Sequence, residues 1–548
     1  MLVLDTETTG LNHQKHLAFA CGFMTGDESI YIDFRKDSGG IARAVDIIQG
    51  HDILIGHNIK FDLHMLVQAG VPWRLLRSKK LYCTQIAEAI LNEHKKSYSL
   101  DALGQEYFGI PKIDIVEQIR EHFAVKRMAK NKAMAKISEM PYDFVKKYCL
   151  RDCQITQLLY ILQCDKMTAF PIFNLEMEVM KHLVDIERRG VSVDVEKLER
   201  AKEHYSKEID KLESELGVNV SSPIQMKEKF ESLGLMPPIN PDNGRPTFSK
   251  SALKEIDHPF TKDVLKLRQY RKIKEGFLSK MPDHMVGDVL YTNFHQAKSD
   301  EYGTISGRLS SSEPNMQQVP KRNGEAFELI RGLYVAPKGK TWLCGDWSQF
   351  EFRMFAHYSQ DEKLWKAYQD NPDIDYHQLV ADMAGVDRRT AKTINLGLSF
   401  GMGESRLAKE LGRSLEDSKV LFSKYHKTFP SVKEFLRTAS AIGAKRGYVK
   451  SLLGRHIRFP EPSLAYKAGA LIFQGGAADI MKKKIIELNS NIDGLVLIVH
   501  DEFNFTVSEE NVERDLKIFK EIMEDVPELN IPVRADISAG KNWWEASK

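Results

Sequence analysis

Two short apolar segments that end in aspartates constrain the fold of this chain more than any other feature. Residues 495–499 are entirely apolar, Asp501 and Glu502 follow them, and an alternating segment occupies 503–507. An apolar run, a polar break and an alternating run predict a β-hairpin with carboxylates at its tip. Asp346 ends the other apolar segment. Two aspartates on neighbouring strands are suited to hold a pair of divalent cations, as in-line phosphoryl transfer requires.

A cationic helix is predicted between these carboxylates, in RRTAKTINLGLSFG at 388–401. Arg388, Lys392 and Leu396 follow at i, i+4 and i+8, so they share one drifting helix face. Two cations beside an apolar surface suit a triphosphate with a stacked base. Arginine can clamp the terminal phosphate in a fork, while lysine offers a mobile charge and a proton. The alternative is an amphipathic helix with a basic surface face, which is commoner in general.

A second group of carboxylates lies near the N-terminus. Asp5 and Glu7 are two residues apart on a predicted strand and therefore share a face. Asp62 lies at a strand-to-helix transition, and Tyr148 and Asp152 share one face of a helix. Clustered carboxylates repel one another unless bound Mg²⁺ or Mn²⁺ cancels the repulsion, and Tyr148 is suited to orient an attacking water. Taken singly, each spacing is more typical of a solvated surface pair.

These N-terminal spacings, in this order and within one domain length, resemble the D-x-E, Asn…[FY]-D and Y-x-x-x-D motifs of proofreading 3′→5′ exonucleases. The resemblance implies an RNase H-like α/β exonuclease domain over residues 1–165. It also implies divalent metal ions bound by four carboxylates, which are Asp5, Glu7, Asp62 and Asp152.

The remaining motifs resemble those of family A DNA polymerases, the polymerase I-like enzymes. DWSQFEFR at 346–353, the helix at 388–401 and VHDE at 499–502 match motifs A, B and C in order. TISGRLSSSEPNMQQVPKR at 304–322, FQGGAADIMKKKI at 473–485 and the C-terminal GKNWWEA match three further signatures. The resemblance spans nearly the whole chain. The compact build of the chain resembles that of bacteriophage replicative polymerases more than that of host repair enzymes.

The resemblance implies a multidomain α/β and α+β fold, in which a right-hand polymerase follows the exonuclease domain. The expected subdivision is a mainly helical thumb over 166–290, a palm split into 291–358 and 455–548, and fingers over 359–454. Because Asp5 lies so near the start of the chain, no 5′-nuclease domain is expected.

The family's site residues carry over by position. Asp346, Asp501 and the backbone carbonyl of Trp347 are expected to bind two Mg²⁺ or Mn²⁺ ions, with Glu502 as a supporting carboxylate and Lys392 as a general acid. Glu351 is expected to exclude a ribose 2′-hydroxyl. The expected dNTP-binding residues are Arg388, Lys392, Leu396, Phe400, His377, Glu351 and Gln349. The expected primer and template contacts, in a minor groove whose pattern is degenerate, are Arg308, Asn315, Gln317, Gln474 and His500.

Three residues depart from the family pattern. Leu396 stands where Phe or Tyr is usual, which predicts discrimination against dideoxynucleotides; Phe400 replaces the usual Tyr, and Ala470 an Asn. Without the tyrosine hydroxyl, Glu351 is expected to be held less firmly, and Phe400→Tyr should then lower ribonucleotide incorporation. Unchanged incorporation would count against that hypothesis.

Charge and cysteine content limit the remaining alternatives. The net charge is only +2, from 78 basic and 76 acidic residues, so a DNA-binding face requires local segregation of charge. The basic run 125–136 fits a solvated helix or single-stranded DNA contact, and the basic stretch 266–274 resembles the family's duplex grip. The six cysteines form no CxxC pair. No zinc site is expected, and reduced thiols indicate the cytoplasm of a bacterial or infected host cell.

The expected partners are primer–template DNA, dNTPs and replication accessory proteins, with no membrane and a monomeric state. Two other functions are compatible with parts of the pattern. A single-subunit RNA polymerase shares the two aspartates and the cationic helix, but Glu351 and the exonuclease motifs oppose it. A non-catalytic DNA-binding protein on a polymerase scaffold would be expected to lose the carboxylates that remain here. A function as a nuclease alone would not explain the presence of Arg388, Lys392 and Asp501 together.

Overall fold

The computed structural model describes residues 1–110, 115–240, 243–297, 304–320, 324–399 and 402–548. Its N-terminal part is built around a five-stranded sheet, as alternating apolar strands and helices predict. The elements are β1 (Leu2–Thr8), β2 (Ala18–Thr25), β3 (Glu28–Asp33), α1 (Gly40–Gln49), β4 (Ile53–Gly56), α2 (Ile59–Ala69), α3 (Trp73–Arg77), β5 (Lys80–Cys83), α4 (Thr84–Leu91), α5 (Leu100–Phe108), α6 (Ile115–His122), α7 (Lys130–Met134) and α8 (Tyr142–Met167).

The order of this sheet is β3-β2-β1-β4-β5. Strand β1 pairs antiparallel with β2 and parallel with β4, so it lies at the centre. Helix α8 packs across β1 and β2. The most buried strand of the sheet therefore carries Asp5 and Glu7 directly beneath the helix that carries Tyr148 and Asp152.

The next part of the chain is mainly helical. Its elements are α9 (Ile172–Arg189), β6 (Val191–Ser192), α10 (Val195–Leu216), α11 (Pro223–Ser232), α12 (Lys250–Lys254), α13 (Pro259–Ile273), β7 (Met285–Val286) and β8 (Val289–Leu290). Asp194 caps α10 by accepting from the backbone N of Lys197 at 2.8 Å. Ser222 caps α11, whose first residue is Pro223, a position where the missing N–H of proline costs the helix no hydrogen bond.

The basic stretch 266–274 is helical, and at least two of its cations, Arg268 and Arg271, are bonded within the protein. Arg268 donates hydrogen bonds to the carbonyl oxygens of Phe248 and Val220, the latter at 2.8 Å. Its guanidinium therefore ties α13 to neighbouring loops.

The third part contains a four-stranded antiparallel sheet in the order β14-β15-β11-β16. The elements up to the helical segment are β9 (Asn293–His295), β10 (Ser310–Ser312), α14 (Glu325–Arg331), β11 (Lys340–Trp347) and α15 (Phe350–Ser359). The helical segment comprises α16 (Glu362–Asp370), α17 (Tyr376–Ala384), α18 (Arg388–Ser399), α19 (Glu404–Leu411), α20 (Leu415–Thr428) and α21 (Pro430–Arg446), and ends in the hairpin β12 (Tyr448–Lys450) and β13 (His456–Arg458). The chain closes with α22 (Ala468–Asn491), β14 (Leu495–Val499), β15 (Glu502–Ser508), α23 (Val512–Glu524) and β16 (Ala535–Gly540).

The predicted carboxylate hairpin is confirmed, since β14 and β15 pair antiparallel and residues 500–501 form their turn. One face of the sheet packs on α23, where Gly345 makes space: a Cβ atom there would lie 2.4 Å from the ring of Phe519.

A buried ionic network connects the parts of the molecule. Arg455, which precedes β13, bonds to Glu176 of α9 and lies 2.7 Å from Asp479 of α22. Lys482 Nζ lies 2.5 Å from Glu176. All four residues are at least nine-tenths buried. Within the described ranges, no helix is both long and apolar enough to cross a membrane.

Candidate active sites

The first candidate site lies where β1 faces α8. Asp5 and Glu7 are opposite Gly22 and Ala20 of β2, so all four residues share one side of the sheet. A Cβ atom at Gly22 would lie 2.8 Å from Cys149 Sγ of α8. The glycine therefore lets the helix approach and bring its side chains up to the two carboxylates.

Asp62 joins this site from α2. Asn58 precedes the helix in a left-handed conformation, with φ of 59°, which asparagine tolerates better than most residues. The backbone N and the Oγ1 of Thr6 both donate to Asp62 Oδ1, at 3.0 and 2.7 Å. These bonds tie the carboxylate to the strand residue between Asp5 and Glu7.

Tyr148 and Asp152 complete the group from adjacent turns of α8, where the tyrosine hydroxyl bonds to the aspartate. Burial raises the pKa of Asp62 and that of Asp152 to about 7. Burial, followed by repulsion from Asp152 and Asp62, also raises the pKa values of Asp5 and Glu7 well above their usual range. The protein thus confines four carboxyl groups whose ionised forms need a cation between them.

The donor atoms fit such a cation. Glu7 is 5% exposed, and among the described residues no hydrogen-bond partner reaches its Oε1. Ligand atoms of Asp5, Glu7 and Cys149 all lie within 4.8 Å of one another. All five residues predicted from the sequence meet here. Sequence reasoning missed Cys149, although its place directly after Tyr148 on the helix was an available signal.

The second candidate site is a cavity of about 530 Å³ beside the carboxylate hairpin. Asp346 and Asp501 both line it. So do eight other residues singled out from the sequence, which are Arg308, Gln317, Trp347, Gln349, Glu351, His377, Lys392 and His500. Residues far apart in the chain therefore converge on one cavity as the motifs predict.

Strand register places the two aspartates side by side. Asp346 of β11 is the direct partner of Glu502 of β15, and Asp501 lies in the turn just before it. His500, in the same turn, has a φ of 58°. The tight turn presents Asp501 at the end of the sheet, next to the end of β11.

Gln317 holds this turn from outside the sheet. Its side-chain amide donates to the carbonyl oxygen of Ile498 at 2.9 Å, and its Oε1 accepts from the backbone N of His500 at 2.8 Å. Asn315 Oδ1 accepts from the backbone N of Gln317 at 3.1 Å. Asn315 itself is not among the residues that line the cavity. Both residues, predicted as DNA contacts, also build the support of the hairpin.

Glu502, expected as a supporting carboxylate, lies outside the cavity lining. The carboxylate is 2% exposed and accepts from Arg331 Nη1 at 3.0 and 3.1 Å. Trp543 Nε1 and Asn504 Nδ2 donate to it at 2.5 and 3.0 Å. These bonds occupy the carboxylate as an anchor for the hairpin, and no sequence pattern pointed to Arg331 as its partner.

The two predicted cations of α18 differ in their relation to the cavity. Lys392 lines the cavity directly, whereas Arg388 is paired with Asp375 at 2.7 Å and does not line it. Burial lowers the pKa of His377 to about 4, so its ring is neutral at neutral pH. His377 Nδ1 lies 3.1 Å from Asn395 Nδ2, which fixes the ring against α18.

Glu351 and Gln349 lie at the start of α15. The Glu351 carboxylate is bonded to the guanidinium of Arg308. Gln349 Oε1 accepts from the backbone N of Tyr376 at 3.0 Å and so links α15 to the start of α17. The sequence, with phenylalanine at position 400, offered no hydroxyl to hold Glu351. Arg308 holds its carboxylate instead.

Comparison with known proteins assigns the chain to a family. Residues 192–545 match the model of DNA polymerase family A, and residues 1–163 match that of a 3′-5′ exonuclease. The chain belongs to DNA polymerase family A. The chain is 32% identical to DNA polymerase DpoZ of Salmonella phage PMBT28 and 31% identical to that of Acinetobacter phage SH-Ab 15497, each alignment covering 100% of this chain and 97% of the relative.

A solved structure shows the same fold at lower identity. The POL domain of Pol1 from M. smegmatis, in complex with DNA primer-template and dNTP, aligns with a TM-score of 0.82 at 23% identity. The alignment covers 100% of this chain and 96% of that chain. The predicted family and fold class, an exonuclease domain followed by a family A polymerase domain, are confirmed.

Residues of the family A motifs also line a larger groove next to the cavity. This groove, about 850 Å³, lies between α18 and α22 and is lined by Thr393, Ala470 and Gln474 among others. Gln474 thus faces the groove and not the aspartates. The side chain of Leu396 and the whole of Phe400 lie outside the part of the chain that the structure describes, so the predictions for them stand as predictions.

Proposed function

We propose that this family A enzyme replicates a phage genome by template-directed addition of dNTPs to a primer 3′-hydroxyl, and that its N-terminal site removes misincorporated nucleotides. The observation that carries the proposal is the single cavity in which Asp346, Asp501 and Lys392 converge. Residues from strand β11, from the β14–β15 turn and from helix α18 meet there.

At the polymerase site, Asp346, Asp501 and the backbone carbonyl of Trp347 are the proposed ligands for two divalent cations. Such cations, when bound, supply charge neutralisation and activation of the primer hydroxyl. Lys392 places its ammonium against the triphosphate and donates a proton to the leaving group. The Arg331–Glu502 pair keeps the hairpin, and with it Asp501, in register.

Arg388 and His377 are proposed to grip the incoming triphosphate. Arg388 pairs with Asp375, and the two side chains are 52% and 38% exposed, respectively. The guanidinium can therefore exchange this partner for a phosphate. Neutral His377 offers a hydrogen bond without a fixed charge. Because Arg388 and Lys392 both lie on α18, closure of this helix on a correct base pair would complete the site before chemistry.

At the exonuclease site, Asp5, Glu7, Asp62 and Asp152 are the proposed holders of the divalent cations. The Tyr148 hydroxyl, already bonded to Asp152, is placed to orient the attacking water. The raised pKa values of the carboxyl groups mean that cation binding must displace protons there.

The proposed DNA contacts are Arg308, Asn315, Gln317, Gln474 and His500, and the proposed subdivision is thumb 166–290, palm 291–358 and 455–548, and fingers 359–454. The neighbour that was solved with primer-template and dNTP supports these partners. We further propose a monomer that works with replication accessory proteins.

Primer extension tests the proposal. A labelled primer–template with Mg²⁺ should be elongated when dNTPs are present and shortened from its 3′ end when they are absent. Asp501→Ala should abolish only elongation, and Asp5→Ala only shortening. Shortening without elongation in the wild type would reduce the protein to a nuclease, and neither activity would favour a non-catalytic DNA-binding protein.

A further inference from the structure

A thiol lies among the exonuclease carboxylates. Cys149 Sγ is close enough to one oxygen each of Asp5 and Glu7 for all three atoms to share a cation, since they lie within 4.8 Å of one another. Cys149 is fully buried, and its thiol donates to the backbone carbonyl of Asp5 at 3.7 Å. The thiol is therefore fixed beside the strand that carries both carboxylates.

A second observation marks this position as a ligand site. Only 5% of the Glu7 surface is exposed, and no described residue donates a hydrogen bond to its Oε1. A buried carboxylate oxygen without a partner is costly. A cation held by that oxygen and the neighbouring sulfur removes the cost.

Geometry also distinguishes Cys149 from the cysteine one turn further along α8. Both thiols pack on Gly22, where a Cβ atom would lie 2.8 Å from Cys149 Sγ and 3.0 Å from Cys153 Sγ. Only Cys149 belongs to the group of donors that converge with Asp5 and Glu7 among the described residues. Cys153 thus provides a matched control of the same size and setting.

We propose that the exonuclease centre takes a thiophilic divalent cation of the Zn²⁺ class, with Cys149 Sγ as a ligand beside Asp5 and Glu7. Thiolate ligands select softer metals, whereas carboxylate and water alone suit Mg²⁺. Binding forms a metal–sulfur bond and releases the thiol proton to solvent. Because the soft cation uses the carboxylates proposed for Mg²⁺, the two cations compete for the site.

Cd²⁺ is the probe, because a cadmium–thiolate bond gives a charge-transfer band in the ultraviolet. The parent protein for this test is the chain with the single substitution Cys164→Ala, which removes a partly exposed thiol. Cd²⁺ titration should produce the band in this protein and in the Cys153→Ala variant. Cys149→Ala should lose the band and bind Cd²⁺ at least about tenfold more weakly, since even outer-shell changes cost that much.

Absence of the band in the parent protein, or its persistence in Cys149→Ala, would overturn the proposal. If Cys149→Ala fails to fold, ¹¹³Cd NMR of the parent decides, because a one-sulfur site and an all-oxygen site resonate at different shifts. The inference rests on the proposed exonuclease, and the two fail differently. A band without Mg²⁺-dependent shortening would refute the nuclease assignment alone, whereas shortening without a band would refute the soft-metal site alone.

Discussion

At the scale of single residues, the pair Arg331–Glu502 is the most consequential contact behind the polymerase site. Both side chains are almost fully buried, and the carboxylate belongs to the first residue of β15, which pairs with Val499 of β14 in the hairpin. Removing one partner of a buried ion pair leaves an uncompensated charge, at a cost of about 3–5 kcal/mol. Arg331→Met should therefore lower the stability of the polymerase part by about that amount in urea unfolding.

The double variant Arg331→Met with Glu502→Gln is the control. It removes the orphaned charge, so it should recover much of the lost stability. Equal losses in the single and double variants would mean that the contact with Arg331 is not what holds Glu502.

Proton competition at the exonuclease carboxylates gives the second residue-scale prediction. The pKa values of Asp62 and Asp152 are raised to about 7. Below that pH, protons occupy the groups that must release them to bind a cation. The apparent Mg²⁺ affinity of the exonuclease should rise with pH up to about 7, by about tenfold per unit for each proton displaced. Mg²⁺ titrations of the shortening rate across this range measure it.

The sign of the stability effect provides an independent check. A carboxyl group whose folded pKa is raised stabilises the fold below its unfolded pKa, near 4, and this stability is lost as pH rises through about 7. With EDTA present, the wild type should lose stability over that window relative to Asp62→Asn with Asp152→Asn. A flat difference between the two proteins would contradict the raised pKa values.

At the scale of elements, helix α18 is where this enzyme departs from its family. Leu396 follows Lys392 by one turn, and an aliphatic side chain there lacks the ring of the usual Phe or Tyr. Leu396→Tyr should raise dideoxynucleotide use relative to deoxynucleotides, by roughly tenfold if it restores one hydrogen bond. Leu396→Met controls for changed volume alone. No gain in dideoxy incorporation with Tyr would sink the hypothesis.

The elements that carry the chemistry were predictable because their signals are local. The spacing of Asp5 and Glu7 on one strand, and the apolar run before Asp501, determine faces and turns from adjacent residues. Residue pairs that only tertiary packing brings together have no local signal in the sequence. Arg331 lies 171 positions from Glu502, and nothing near Arg308 indicates that it bonds to Glu351. The approach of Cys149 to Asp5 and Glu7 likewise depends on the packing of α8 on β1.

At the scale of the whole molecule, Arg455 connects parts that the sequence separates widely. It bonds to Glu176 of α9 and to Asp479 of α22, both buried. Arg455→Met leaves two buried carboxylates short of a partner, at a cost of about 3–5 kcal/mol. Its thermal unfolding midpoint should fall well below that of Arg458→Met, which removes a half-buried bridge to Glu93 of the exonuclease domain. Equal or smaller loss with Arg455→Met would show that the network is not structural.

The central claim is that one chain builds DNA at the hairpin cavity and edits it beneath α8. The most direct measurement extends a primer whose 3′ nucleotide is mismatched, with Mg²⁺ and all four dNTPs. The account predicts that wild type removes the mismatch and then elongates, that Asp501→Ala only shortens the primer, and that Asp5→Ala retains the mismatched nucleotide. Mismatch removal by Asp5→Ala, or elongation by Asp501→Ala, would contradict the assignment of the two sites.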